Sequence, residues 1–251
     1  MRARASLSVE LARGRSVVRE LRSQAPLTLL PRRASTAPDG TAVVHLVGSA
    51  ANPLGGDEVE LDVRVGAGAR LRLVGTAATV ALPGRGSSRS VVRIEVAEGG
   101  TAEYLPEAAV ISERADHRAE LSVRLGAGAR ARCRETLVLG RSGEPPGRLV
   151  TGTQLVRGET PLLRQRLDLG DPRLTASSGY LAGARVLATE VLAWDEDPPA
   201  ASSGRWWSLS PLAAGGCLAT AVADDAVTAA RRLAEAVGRH PGAAELGDPM
   251  W

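Results

Sequence analysis

The stretch VRVGAGARLRL, Val63 to Leu73, recurs almost unchanged as VRLGAGARARC, Val123 to Cys133. A looser copy, IEVAEGGTAEY, Ile94 to Tyr104, lies between them. A strand–turn–strand phrase repeated about every thirty residues constrains the fold more than any other feature of the chain. One such unit has a single apolar face and cannot bury it alone, so successive copies must share a core. Glycine at the centre of each phrase supplies the tight or left-handed backbone that a turn between two strands needs.

Period-2 alternation extends well beyond the repeats. Val59, Leu61, Val63 and Val65 alternate with Glu58, Glu60, Asp62 and Arg64. Val92, Ile94 and Val96 form the same pattern, as do Leu121, Val123 and Leu125. Leu7, Val9 and Leu11 alternate with polar residues and are followed by ARGR and a second apolar stretch, Val17 to Leu21, which suggests an opening hairpin. Leu163, Leu167 and Leu169 alternate with Arg164, Arg166 and Asp168. The expected fold is mainly β, a layered β-superhelix or solenoid-like array of antiparallel strands. An antiparallel sandwich with similar hairpins is the other architecture this pattern allows. DPPAASSG, 197–204, reads as a loop or internal linker.

Helix is expected late, in DDAVTAARRLAEAVGRH, with an Asp cap at Asp224 or Asp225 and a stop at Gly238–Arg239. Val227, Ala230, Leu233, Ala234 and Val237 would form its apolar stripe. One or two C-terminal helices are therefore expected, in a single domain over 1–251, with a disordered tail after about residue 241.

With only 2% aromatic residues and no Phe, the core must be built from Val, Leu and Ala. The basic residues are all Arg, 31 of them, scattered along strands with a net charge of only +3. A nucleic-acid surface would need a basic stripe with stacking aromatics, and none is visible. No apolar run approaches the ~20 residues that span a bilayer, and no secretory h-region opens the chain, so a cytoplasmic, membrane-free protein is expected. Cys133 and Cys217 form no CxxC. Cys133 falls at apolar parity and reads as a core residue.

Catalytic motifs are missing. There is no Lys for a Walker A loop, no GxSxG, and no metal-ligand spacing among His45, His117 and His240, which read as surface or packing residues. Three polar residues break the inward parity of their strands. Extending the face of Val59, Leu61 and Val63 back one step reaches Asp57. Glu135 lies among Ala131, Cys133, Leu137 and Leu139, and Gln165 between Leu163 and Leu167. A buried unpaired carboxylate is costly or has a raised pKa. Either a bulge or an Arg partner removes the conflict, or these residues line a wet interior cavity able to meet a cation.

Several segments, in order and spacing, resemble the UreD (UreH) family of urease accessory proteins. Gly55-Gly56-Asp57 matches its Gly-Gly-Asp element. Glu103-Tyr104-Leu105-Pro106-Glu107 matches its Glu-Trp-Leu-Pro-Glu, with Tyr for Trp. Gly140-Arg141 and Gly143-Glu144 match its Gly-Arg…Gly-Glu loop, and Pro161-Leu162-Leu163 its last strand motif. The likeness runs from about residue 25 to residue 170. The family's Thr/Lys-rich segment keeps Thr79 but loses the Lys, and its Glu after Pro-Leu-Leu is Gln165.

The resemblance implies a mainly β superhelix with C-terminal helices and no catalysis of its own. It implies a scaffold that binds UreF, which recruits the GTPase UreG, the assembly then docking on apo-urease and delivering Ni²⁺. No cofactor is expected to be held tightly; nickel would be in transit along an internal tunnel. Asp57 and Glu135 match the tunnel acids, with Thr79 and Gln165 as further path residues. The alternative from the residues alone is a β-solenoid polysaccharide-binding module or carbohydrate-active enzyme. With six Trp and Tyr in all, its stacking groove would have to use Trp206 and Trp207 of GRWWSL.

Overall fold

The computed structural model describes residues 1–32, 39–175, 177 and 179–246. The strands are β1 (Arg2–Ala12), β2 (Arg15–Arg22), β3 (Leu27–Pro31), β4 (Ala42–Gly48), β5 (Glu58–Val65), β6 (Arg70–Gly75), β7 (Thr79–Ala81), β8 (Ser88–Val96) and β9 (Thr101–Leu105). They continue with β10 (Ala109–Ile111), β11 (Asp116–Leu125), β12 (Arg130–Leu139), β13 (Arg148–Arg157), β14 (Thr160–Leu169), β15 (Val186–Ala193), β16 (Ser202–Gly204), β17 (Trp207–Pro211) and β18 (Cys217–Ala223). Three helices, α1 (Pro172–Thr175), α2 (Ala226–Val237) and α3 (Ala243–Leu246), lie in the last third.

Each repeated phrase crosses from one sheet to another. β5, β8 and β11 belong to a seven-stranded sheet ordered β14-β13-β11-β8-β5-β1-β2. The strands after each glycine turn, β6, β9 and β12, belong to a second sheet ordered β16-β17-β18-β15-β12-β9-β6-β4-β3. The chain therefore coils, and each strand pairs with its counterpart from the previous turn of the coil. The solenoid-like layering is as the sequence suggested, but the strand sense at its centre is corrected: β1, β5, β8, β11 and β13 pair in parallel, as do β4, β6, β9 and β12. A strand and the strand after its turn are in different sheets, so they cannot form the antiparallel ladder of a hairpin. Antiparallel pairs close the ends, at β1–β2, β13–β14, β3–β4 and from β12 through β15, β18, β17 and β16.

The register lines equivalent side chains in rows. Leu7, Val63, Ile94, Val123 and Leu155 succeed one another across the first sheet, and all are buried. Val44, Leu73, Tyr104, Cys133 and Val191 form a row across the second. The turns stack too. Each is closed by an i to i+3 bond, at Gly66–Ala69, Ala97–Gly100 and Gly126–Ala129. The third residue of each is glycine with positive φ: Gly68 at 64°, Gly99 at 62° and Gly128 at 60°. Gly68 N donates to Glu98 O and Gly99 N to Ala127 O, so turn bonds to turn along the stack.

The C-terminal third builds a second core on the outer face of the second sheet. Every residue of β15 is buried. Val191 and Ala193 face the coil interior, while Val186, Ala188 and Leu192 face α2 with Leu209, Ala219 and Ala229. Asp225 caps α2, accepting from Thr228 N at 2.8 Å. The apolar stripe is rotated from the sequence reading. Ala229, Leu233, Ala236 and Val237 are buried, whereas Val227 is 81% exposed. At 3.6 residues per turn Val227 lies about 120° from Leu233, on the flank. Within the stretch expected to be a disordered tail, Ala243–Leu246 is helical and Leu246 is buried. Residues 247–251 lie outside the described residues. The segment 197–204 is a loop whose end forms β16, paired to β17.

Leu233→Ala should destabilise the chain by about 2–4 kcal/mol through the cavity it leaves, whereas Val227→Ser should change stability by less than about 0.5 kcal/mol. Chemical denaturation of both variants checks this. Equal losses would contradict the observed helix face.

Candidate functional site, a cavity between the two sheets

A cavity of about 180 Å³ lies between the sheets. Val59, Leu61 and Ala119 line it from the first sheet, and Leu46, Tyr104 and Leu137 from the second. Its polar groups include Glu135, His117, Thr79 and Glu107. β12 runs unbroken from Arg130 to Leu139, so strand parity holds and Glu135 faces inward among Ala131, Cys133 and Leu137. Thr151 Oγ1 on β13 donates to Glu135 Oε1 at 2.7 Å, joining the two sheets through the carboxylate. Burial pushes the Glu135 carboxyl above its ordinary pKa, and the Thr151 bond offsets this only in part. One hydrogen bond leaves most of the acceptor capacity of a carboxylate unused by the protein.

His117 is the polar residue the sequence reading missed as a site candidate. It is buried on the inward face of β11, in step with Ala119, Leu121, Val123 and Leu125. The parity rule that selected Glu135 selects it as well, once the face of Leu121 is followed back. Burial lowers its pKa to about 4 against a weaker opposing pull from Asp116 and Ser88, so the ring is neutral at pH 7. Nδ1 lies 2.8 Å from Ser88 Oγ. Burial also raises the Tyr104 phenol, next to Cys133 and Glu135. It pushes the Cys133 thiol up to about 12, so neither ionises near neutrality.

The remaining expected site residues separate. Thr79, Pro106 and Glu107 line the cavity. Asp57 is buried but is not among the lining residues. It precedes β5 in a turn closed by Asp57 N to Leu54 O, so strand parity does not reach it. Its carboxylate accepts from the Met1 ammonium at 2.6 Å and from Leu54 N at 2.9 Å. Burial raises its pKa, but these bonds outweigh that and hold it below the usual carboxylate range. Asp57 is thus held at this turn, and its side chain is not brought to the cavity with Glu135 as the parity reading expected. Gln165 does share the half-buried face of Leu163 and Leu167, but on β14, the edge strand opposite Thr153 and away from the cavity. A side chain at Gly55 would meet Gly84 and Gly86 backbone at 2.6 Å, and Gly56 has φ 94°, so both serve the turn. Arg141 Nε bonds Glu144 Oε2 at 2.9 Å across a surface loop, which Arg185 clamps through the carbonyls of Leu139, Arg141 and Glu144.

The family model for the UreD urease accessory protein matches residues 1–246. Urease accessory protein UreD 1 of Saccharopolyspora erythraea is 66% identical, covering 100% of both chains. The UreD of Frankia alni is 40% identical over 93% of this chain and 91% of its own, and that of Streptomyces avermitilis 37% over 90% and 91%. The chain belongs to the UreD urease accessory protein family. Membership places it in urease maturation in an accessory role.

In this UreD chain the Glu-Tyr-Leu-Pro-Glu motif serves both faces of the second sheet. Tyr104, Pro106 and Glu107 face the cavity. Glu103 points outward, 2.7 Å from Arg72 and 3.4 Å from Arg132. Arg132 continues to Glu190 at 2.6 Å and to the Leu246 carbonyl, and Arg134 reaches Glu190 at 2.7 Å. This buried ion network carries the C-terminal segment on the outer face. Trp207 belongs to the second core and Trp206 lies under Arg232, so the pair does not form a sugar-stacking surface. Among the described residues no three His, Cys, Asp or Glu are grouped to hold a metal, and no helix is long and apolar enough to cross a membrane.

His117 has a folded-state pKa of about 4 against 6.5 when free. The unfolded chain therefore binds the extra proton between those values, and the contribution is complete above pH 6.5 and lost as pH falls toward 4. The full loss amounts to about 3 kcal/mol. Urea unfolding of wild type and His117→Gln across this range should show the wild type losing stability relative to the variant. A constant difference would contradict a buried neutral imidazole.

Proposed function

We propose that the chain is a non-catalytic scaffold of urease maturation that helps deliver Ni²⁺ to apo-urease in the cytoplasm, in complex with UreF and the GTPase UreG. The cation passes between the two sheets, and Glu135 meets it there. The observation that carries this reading is a carboxylate held in an interior cavity with one hydrogen-bonding side chain, Thr151. An acid kept there with no ion-pair partner among the described residues costs stability, and a passing divalent cation gives it a use. Carboxylate oxygen binds nickel weakly enough to release it, whereas retention would call for several imidazoles or thiolates. The lack of a grouped three-residue ligand set among the described residues suits a passage better than a store.

The test is Glu135→Arg, which narrows the cavity and sets a positive charge against a divalent cation. Urease matured with this variant should contain little nickel while the accessory complex assembles normally. Normal nickel content with the complex intact would rule out transit past Glu135. The raised pKa of Glu135 adds a pH signature. The carboxylate is charged above its pKa and loses its charge as pH falls, so nickel transfer should slow on acidification. Glu135→Gln should start slower and lose much of that pH dependence.

A further inference from the structure

His117 and Glu135 line the same cavity. His117 is two residues before Ala119 on β11, Ala119 pairs with Thr151, and Thr151 donates to Glu135. On the inward face His117 and Thr151 are diagonal neighbours, two residues along and one strand across, roughly 7–8 Å apart in backbone position. The ring is held by its neighbour: Ser88 Oγ lies 2.8 Å from His117 Nδ1 and 3.4 Å from the Asp116 carbonyl. A neutral imidazole keeps a lone pair on one ring nitrogen whichever nitrogen carries the proton.

The geometry points to His117 as a nitrogen-donor waypoint in this passage, the group through which the cavity favours Ni²⁺ over hard cations such as Mg²⁺, with Ser88 as its positioning residue. The inference rests on the reading of the cavity as a nickel path. Carboxylate and water serve magnesium as well as nickel, whereas imidazole suits nickel and not magnesium. Glu135 and Glu107, both carboxyl residues of this cavity, would attract any divalent cation. An imidazole offered next to them holds nickel briefly and gives magnesium nothing at that step.

The experiment is maturation of apo-urease by the purified accessory complex at limiting Ni²⁺, with and without a large excess of Mg²⁺, reading the nickel content of urease. The wild-type complex should be nearly indifferent to Mg²⁺. His117→Gln, which keeps a polar partner for Ser88, should assemble normally yet lose nickel loading several-fold when Mg²⁺ is in excess. Ser88→Ala keeps the imidazole but removes the bond that holds its ring, and should show a smaller loss of the same kind. If Glu135→Arg blocks loading while His117→Gln loads nickel like wild type with and without Mg²⁺, the waypoint is wrong and the passage stands. If Glu135→Arg loads normally, the passage itself is wrong. Should His117→Gln fail to assemble, Ser88→Ala decides, and Mg²⁺-indifferent loading by that variant overturns the proposal.

Discussion

Everything in this molecule depends on backbone hydrogen bonds between successive turns of one coil. Parallel strands give each inward side chain a counterpart directly above and below it, as in the row from Leu7 to Leu155. The glycine turns keep the coils in step, because Gly68, Gly99 and Gly128 adopt a backbone that side chains disfavour and each turn donates to its neighbour. A core made this way needs no large aromatics. Val, Leu and Ala at fixed intervals suffice, which fits a chain with no Phe. The open ends of the stack are closed by antiparallel pairs and, on one side, by α2 packed across β15 and β18.

The same construction explains how the interior tolerates a carboxylate. Two sheets facing each other across a coil can leave space between them wherever a row changes residue size. Glu135 is held there by Thr151 on the facing sheet, with the neutral His117 and Tyr104 and the carboxyl residue Glu107 lining the same cavity. The strongly paired charges are elsewhere. Arg72, Glu103, Arg132, Glu190 and Arg134 form one network on the outer face, under the C-terminal segment. Inner and outer faces of one strand, β12, thus do different work. Cys133 and Glu135 serve the cavity side, while Arg132 and Arg134 anchor the outer layer.

Local pattern revealed what depended on local geometry. The repeats announced the coil, and unbroken alternation along β12 placed Glu135 correctly. It failed for Asp57, because a turn bond to Leu54 ends the strand one residue too soon. It also failed for the sense of the strands, since a glycine turn within a hairpin and one between sheets look alike in sequence. His117 obeys the same parity rule, but the three His show no metal-ligand spacing, and that spacing marks only closed metal sites. Arg132 and Glu190 were out of reach. Their burial is created by helices more than thirty residues further along the chain, and an Arg at outward parity ordinarily means solvent. The buried face of α2 is likewise set by what packs on it: Val227 is apolar but 81% exposed, while Ala229, Leu233, Ala236 and Val237 are buried.

The central claim is that nickel passes between the two sheets beside Glu135. Anomalous diffraction at the nickel edge, from crystals of the accessory complex equilibrated with nickel at concentrations that support urease maturation, tests it directly. The account predicts an anomalous peak inside the cavity in contact with the Glu135 carboxylate, absent in Glu135→Arg. Nickel found only on outer surfaces of the wild-type complex, with none between the sheets, would contradict it.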